Sequence, residues 1–269
     1  MPTLSTNQQI LFCENSIIKP QNQLKLLPPS VEGGGAARPR RRERFHTPTN
    51  NNGEFMKSYI FIGGEVDKSV LSSPIPEDAL VIAADSGYDN AKMLRYAERC
   101  DYVVGDFDST MEKAFCSRAK IVRVPAEKDE TDTQLAINIA LQNGANELYI
   151  VGGLSGRLDH TLSNLHLLET LAKAGVSATI CDGFNRVRYL KERSSLLVPK
   201  SEYKYFGLIL TQEKAKGVTV DGAKYPLKNA NLERNNPSFA ISNEVTENFA
   251  MVSLKKGGLF VIESKELSK

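Results

Sequence analysis

From residue 56 onward the sequence predicts a doubly wound α/β layer, a mostly parallel sheet flanked by helices, followed by a smaller all-β sandwich. Three observations predict it. Short, nearly continuous apolar runs alternate with stretches of helical period up to about residue 182. Those runs end repeatedly in glycine or carboxylate. Beyond 183 the helical period vanishes and short alternating segments separated by turn residues take over.

The strand candidates of the first part are 58–62 (SYIFI), 80–84 (LVIAA), 102–104 (YVV), 121–124, 148–151 (LYIV) and 178–181. Their Ile- and Val-rich continuity suits strands buried on both faces of a parallel sheet. Helical patterns lie between them at 88–98, 110–118, 131–143 and 158–174. In the last, Leu158, Leu162, Leu165, Leu168 and Leu171 recur at spacings of four and three, which predicts a single leucine face. The later strand candidates are 186–190, 195–198, 205–210, 217–220, 238–241, 249–254 and 259–263, and the boundary is expected near Asp182-Gly183.

Residues 1–55 are a different material. They carry six of the twelve prolines, Gly33-Gly34-Gly35 and five arginines within 38–44, with seven Lys/Arg against four Asp/Glu. No period persists there, so chain entropy outweighs what could be buried and a disordered leader is expected. The arginine run could serve as a localisation signal or nucleic-acid patch, but we read the segment as an appended, non-native or tag-derived leader. Over the whole chain the formal charge is +2, which argues against a nucleic-acid partner held by a global basic field. No stretch approaches the roughly 18 apolar residues of a membrane span. Four widely spaced cysteines, Cys13, Cys100, Cys116 and Cys181, form no C-x-x-C pair and read as reduced thiols of a cytoplasmic protein.

Chemistry concentrates at the strand ends. Gly63-Gly64 follow the first strand, Asp85-Ser86-Gly87 the second and Gly105-Asp106-Phe107-Asp108-Ser109 the third; Gly152-Gly153-Leu154-Ser155-Gly156-Arg157-Leu158-Asp159-His160 follows the fifth. Open α/β sheets bind ligands beyond the carboxyl ends of their strands, so this edge is the expected site. Asp106 and Asp108 sit two apart on a turn, and carboxylates converging there suit Mg²⁺. Lys128-Asp129-Glu130-Thr131-Asp132 opens a helix that Asp129 or Thr131 can cap, projecting Asp132 from its first turn. Glycines 152, 153 and 156, with Arg157 at a helix start, suit a phosphate, which His160 could also reach. No P-loop or G-x-G-x-x-G occurs, and no nucleophile elbow is present. These residues together predict Mg²⁺-dependent transfer of a phosphoryl-type group from a nucleotide.

The ordered set Gly105–Ser109, Asp129-Glu130-Thr131-Asp132-Thr133-Gln134, and Gly152–His160 with Asn164 resembles thiamine pyrophosphokinases, the bacterial branch in particular. The late Ile241-Ser242-Asn243-Glu244 is similar to the family's Ser-Asn motif. The resemblance implies a Rossmann-like ATP-binding domain at 56–182, a thiamine-binding β-sandwich at 183–269, and a homodimer with sites between subunits. It implies transfer of pyrophosphate from ATP to the thiamine hydroxyl, giving thiamine diphosphate and AMP. Asp106, Asp108 and Asp132 would then hold Mg²⁺, and Asp85 would lie at the nucleotide edge. Lys128, Arg157 and His160 would contact phosphates, with Gly63, Gly64, Thr131, Gly152, Gly153, Gly156 and Asp159 completing the ATP site and Asn164 supporting its loop. Gln134 and, from the other subunit, Ser242 and Asn243 would recognise the aminopyrimidine. Asp132 or Asp106 is the expected acceptor of the hydroxyl proton. Position 155 is Ser where the family usually has glycine, and with no Trp in the chain a Phe or Tyr is expected against the thiamine ring. The rival readings are a sister pyrophosphokinase acting on another hydroxymethyl heterocycle such as a pterin, and a non-catalytic nucleotide or thiamine diphosphate sensor.

Overall fold

A computed structural model describes residues 56–107, 115–124, 130–236 and 240–266. The leader, Asp108, Lys128 and Asp129 lie outside the described residues.

Five parallel-paired strands form first: β1 (Lys57–Phe61), β2 (Leu80–Ala84), β3 (Tyr102–Gly105), β4 (Lys120–Arg123) and β5 (Glu147–Val151), joined by β6 (Ser177–Cys181). The chain then turns at Asp182-Gly183 into β7 (Asn185–Lys191), which pairs antiparallel with β6 and stays in the same sheet. β13 (Gly258–Ser264) and β9 (Tyr205–Leu210) extend it further, giving the order β4-β3-β2-β1-β5-β6-β7-β13-β9. A second, antiparallel sheet has the order β11-β10-β12-β8, from β8 (Ser194–Pro199), β10 (Lys214–Asp221), β11 (Leu227–Glu233) and β12 (Phe249–Leu254).

The apolar runs are continuous because the parallel strands are covered twice. Ile60, Ile82, Val104, Ile150 and Ile180 belong to one core with α2 (Asp132–Gln142) and α3 (Leu158–Lys173); Tyr59, Phe61, Val81 and Val103 belong to another with α1 (Gly87–Met93). A third core lies where Leu208, Leu259 and Val261 of the large sheet meet Val218, Val220 and Val252 of the small one. Cys100, Cys116 and Cys181, all in the core beside α1, are free and buried. Burial pushes the Cys100 and Cys181 thiols up to about 12. No helix among the described residues is long and apolar enough to cross a membrane.

Several elements differ from expectation. The helix expected at 88–98 stops at Met93, because Arg95 takes φ 65°, and resumes as a single 3-10 turn at Ala97–Arg99. Most of the helix expected at 110–118 falls outside the described residues, and its described end is a turn. Ala240 and Ile241 join no strand, while β11 was not expected. On α3 the leucines do not share a buried face: Leu158 is 69% exposed and Leu162 48%, whereas Leu167, Leu168 and Leu171 are buried with Asn164. Each step of three residues falls about 60° short of a full turn, so a run of such steps winds away from its starting face.

Candidate active site

The order β2-β1-β5 places a topological switch point at β1, since the chain leaves it on one side for β2 and reaches β5 on the other. A cavity of about 580 Å³ opens there, beyond the strands' carboxyl ends. One wall is two glycine loops tied to each other. Ile62 N donates to Val151 O (2.9 Å), Gly153 N to Gly63 O (2.8 Å) and Glu65 N to Ser155 Oγ (2.7 Å). Helices pin both loops: Asn90 Nδ2 of α1 donates to Ile62 O (2.8 Å) and Gly64 O (3.0 Å), and Asn164 Nδ2 of α3 donates to Gly153 O (3.1 Å). Gly153 has φ 74°, and a Cβ there would meet Ile62 Cδ1 at 2.3 Å and Asn164 Nδ2 at 2.6 Å, so a side chain would break this packing.

The cavity also has an acidic lining. Asp85, held at φ 47° between β2 and α1, lines the cavity with Glu130 and Asp132. Asp132 is there because it is the first residue of α2, whose start is fixed by Thr131: Gln134 N donates to Thr131 Oγ1 (3.2 Å) and Thr131 N to Gln134 Oε1 (2.9 Å). Of the two capping candidates, Thr131 makes this contact; Asp129 is outside the described residues. Thr131→Ala is expected to cost about 1 kcal/mol in denaturant unfolding, and a loss below about 0.3 kcal/mol would contradict the capping role. Asp106 follows β3 on the turn whose next residue, Phe107, sits at φ 65° against Phe115 (4.7 Å) and under Arg123 (4.9 Å). Asp106 does not line the cavity.

Arg157 and His160 line it from the start of α3. Asp159 does not; its carboxylate accepts from Arg157 Nη2 (2.6 Å) and Nε (3.2 Å) and from His160 N (3.0 Å). The Arg157 hydrogen bonds hold the Asp159 carboxyl below its usual range, and Asp159 in turn raises Arg157. An anion so committed orients the guanidinium rather than meeting a phosphate. Gly152 is likewise packed away from the cavity, its Cβ position 2.5 Å from Ile62 O.

Of the residues expected at the aminopyrimidine, Gln134 does not line this cavity, and Ser242 and Asn243 are the two expected from the other subunit. Gln134 spends its Oε1 in the capping box. Asn243 is buried, donating Nδ2 to Tyr225 O (2.9 Å) and accepting at Oδ1 from Tyr225 N (2.9 Å) and Glu244 N (2.9 Å). It thereby fixes the turn that carries Ser242 at φ 59°. Ser86 and Glu130, quoted in the strand-end segments without a role of their own, line the cavity, whereas Asn90 is the loop-holding residue that sequence reasoning passed over; it lies mid-helix with no motif around it, and only the fold brings it to a loop 26 residues back.

Asp85, Glu130 and Asp132 offer oxygen donors of the kind a hard divalent cation takes, but among the described residues no three metal-ligating side chains gather as one site; glycine backbone with a guanidinium suits a polyphosphate. Two sequence profiles match: "Thiamin pyrophosphokinase, catalytic domain" over residues 73–180 and "Thiamin pyrophosphokinase, vitamin B1 binding domain" over 193–259. Thiamine pyrophosphokinase of Bacillus subtilis is 30% identical over 169 residues, 60% of this chain and 77% of that protein. The chain belongs to the thiamine pyrophosphokinase family. Another family member, Thiamin pyrophosphokinase 1 of Caenorhabditis elegans, is 28% identical over 64% of this chain and 73% of its own. The crystal structure of the B. subtilis family member superposes with a TM-score of 0.67 at 27% identity, covering 78% of this chain and all of that one. The sequence predicts a mostly parallel sheet flanked by helices and a smaller all-β sandwich; the chain has a mixed sheet with helices and a separate antiparallel sheet, a fold it shares with the B. subtilis structure.

Proposed function

We propose that this protein is an enzyme that transfers pyrophosphate from ATP to the hydroxyl of thiamine, giving thiamine diphosphate and AMP. The observation that carries the reading is one cavity, at the switch point of a chain of this family, lined by glycine loops, Arg157 and His160 together with Asp85, Glu130 and Asp132. The loop N–H groups and Arg157 bind the phosphates and neutralise charge that grows on equatorial and bridging oxygens as the thiamine oxygen attacks the β-phosphorus and AMP departs. Asp132, with Asp106 and Asp108, would hold Mg²⁺, which when bound supplies Lewis-acid charge at the phosphate oxygens. The hydroxyl proton passes to Asp132 or Asp106; of these, Asp132 lines the cavity. Asp159 keeps the Arg157 fork aimed. Asn164 and Asn90 hold the loops against the pull of the bound anion.

The same reading assigns 56–182 to the nucleotide and 183–269 to thiamine, in a cytoplasmic homodimer whose partner subunit supplies Ser242. The acceptor test separates thiamine from other hydroxymethyl heterocycles. With ATP and Mg²⁺, AMP is expected to accumulate with thiamine and stay at background with a hydroxymethylpterin. Pterin-dependent AMP, or thiamine binding without turnover, would overturn the proposal.

A further inference from the structure

Ser155 stands in the glycine loop between β5 and α3, and its hydroxyl is placed for two bonds at once. Oγ accepts from Glu65 N at 2.7 Å, which uses one lone pair. The hydroxyl proton remains, since a serine carries one donor and two acceptor sites. Among the described residues no acceptor takes that proton, and Ser155 lines the cavity beside Gly156 and Arg157. The backbone accommodates the side chain: Ser155 is absent from the residues at positive φ, and Gly64, opposite, would bring a Cβ within 3.0 Å of Oγ. Glycine at 64 thus leaves the hydroxyl its room.

We propose that Ser155 is a phosphate-binding residue, donating its hydroxyl proton to a non-bridging oxygen of the ATP phosphate chain while Glu65 N fixes the orientation of Oγ. The inference rests on the reading of the cavity as the ATP site. It assigns to this chain a contact that a glycine at the position cannot make, and it couples the two glycine loops to the ligand through one atom.

The test is calorimetric titration of the full chain with Mg²⁺-ATP and with adenosine. For the unaltered protein ATP is expected to bind more tightly than adenosine; equal affinities would overturn the cavity reading itself. Given that difference, Ser155→Ala is expected to weaken ATP about tenfold, the effect of losing one hydrogen bond to a charged group. Adenosine affinity should change less than about twofold, because adenosine has no phosphate for the hydroxyl to meet. Ser155→Gly should behave as Ser155→Ala does, and Ser155→Thr, which restores a hydroxyl, should recover most of the ATP affinity. Unchanged ATP binding in both Ser155→Ala and Ser155→Gly would overturn the role. So would a parallel loss for ATP and adenosine, which marks a loop that has merely slackened.

Discussion

Turnover with ATP and thiamine is expected to fall about 10²–10³-fold in Asp132→Asn, with unfolding stability nearly unchanged. Asparagine has almost the same shape and leaves the Thr131–Gln134 capping box untouched, so the start of α2 stays where it is. What disappears is the negative charge of a cavity-lining carboxylate, and with it a proposed ligand for the cation. The helix loses only a favourable charge in its first turn, about 0.3–1 kcal/mol. Asp159→Asn provides the contrast. Because Asp159 acts through Arg157 and does not line the cavity, its loss should cost about tenfold in turnover, less than the Asp132 change. Equal effects at the two positions, or near-normal turnover in Asp132→Asn, would show that the acidic wall is not where the chemistry is supported.

The largest loss of stability is expected outside the cavity lining. Glu263 on β13 is 1% exposed and lies opposite Arg186 of β7 in the strand register. It accepts from Arg186 Nε (2.9 Å) and Nη2 and from Arg188 Nη2 (2.8 Å). Burial pulls Arg188 below its ordinary value; at Arg186 desolvation acts the same way, but the Glu263 contacts outweigh it. Glu263→Ala would leave two guanidinium groups on a sheet face with no carboxylate, at a cost of about 3–5 kcal/mol. Denaturant unfolding reads this directly, and a change below about 1 kcal/mol would contradict the assignment of Glu263 as the hub of this cluster. Glu263→Gln, which keeps hydrogen-bond acceptance but not charge, should fall between.

The parallel half of the fold was legible because Ile60, Ile82, Val104 and Ile150 sit in runs whose two faces are both covered, and such runs have few other uses. The strand-end loops were legible for a related reason: glycine and carboxylate just past an apolar run have little to do with packing. What escaped reading depends on contacts remote in sequence. β11 (LKNANLE) is an edge strand exposing most of its residues, so its pattern resembles a loop. Leu158 and Leu162 promised burial, but nothing local says that the packed face of α3 begins at Asn164. The Ser242-Asn243 pair was visible as a motif, yet the inward role of Asn243 depends on Tyr225, 18 residues away across a turn. Asn90 gave no signal, since a lone asparagine in a helix is common and its carbonyl partners belong to another strand's end.

In the proposed reaction the bond broken lies between the α- and β-phosphates and the transferred group reaches thiamine. ATP labelled at the β-phosphorus, incubated with the protein, Mg²⁺ and thiamine, tests it most directly. The account predicts label in thiamine diphosphate, one equivalent of unlabelled AMP for each, and loss of both in Asp132→Asn. Label retained in ADP, with only the γ-phosphate transferred, would contradict it and make the protein an ordinary kinase.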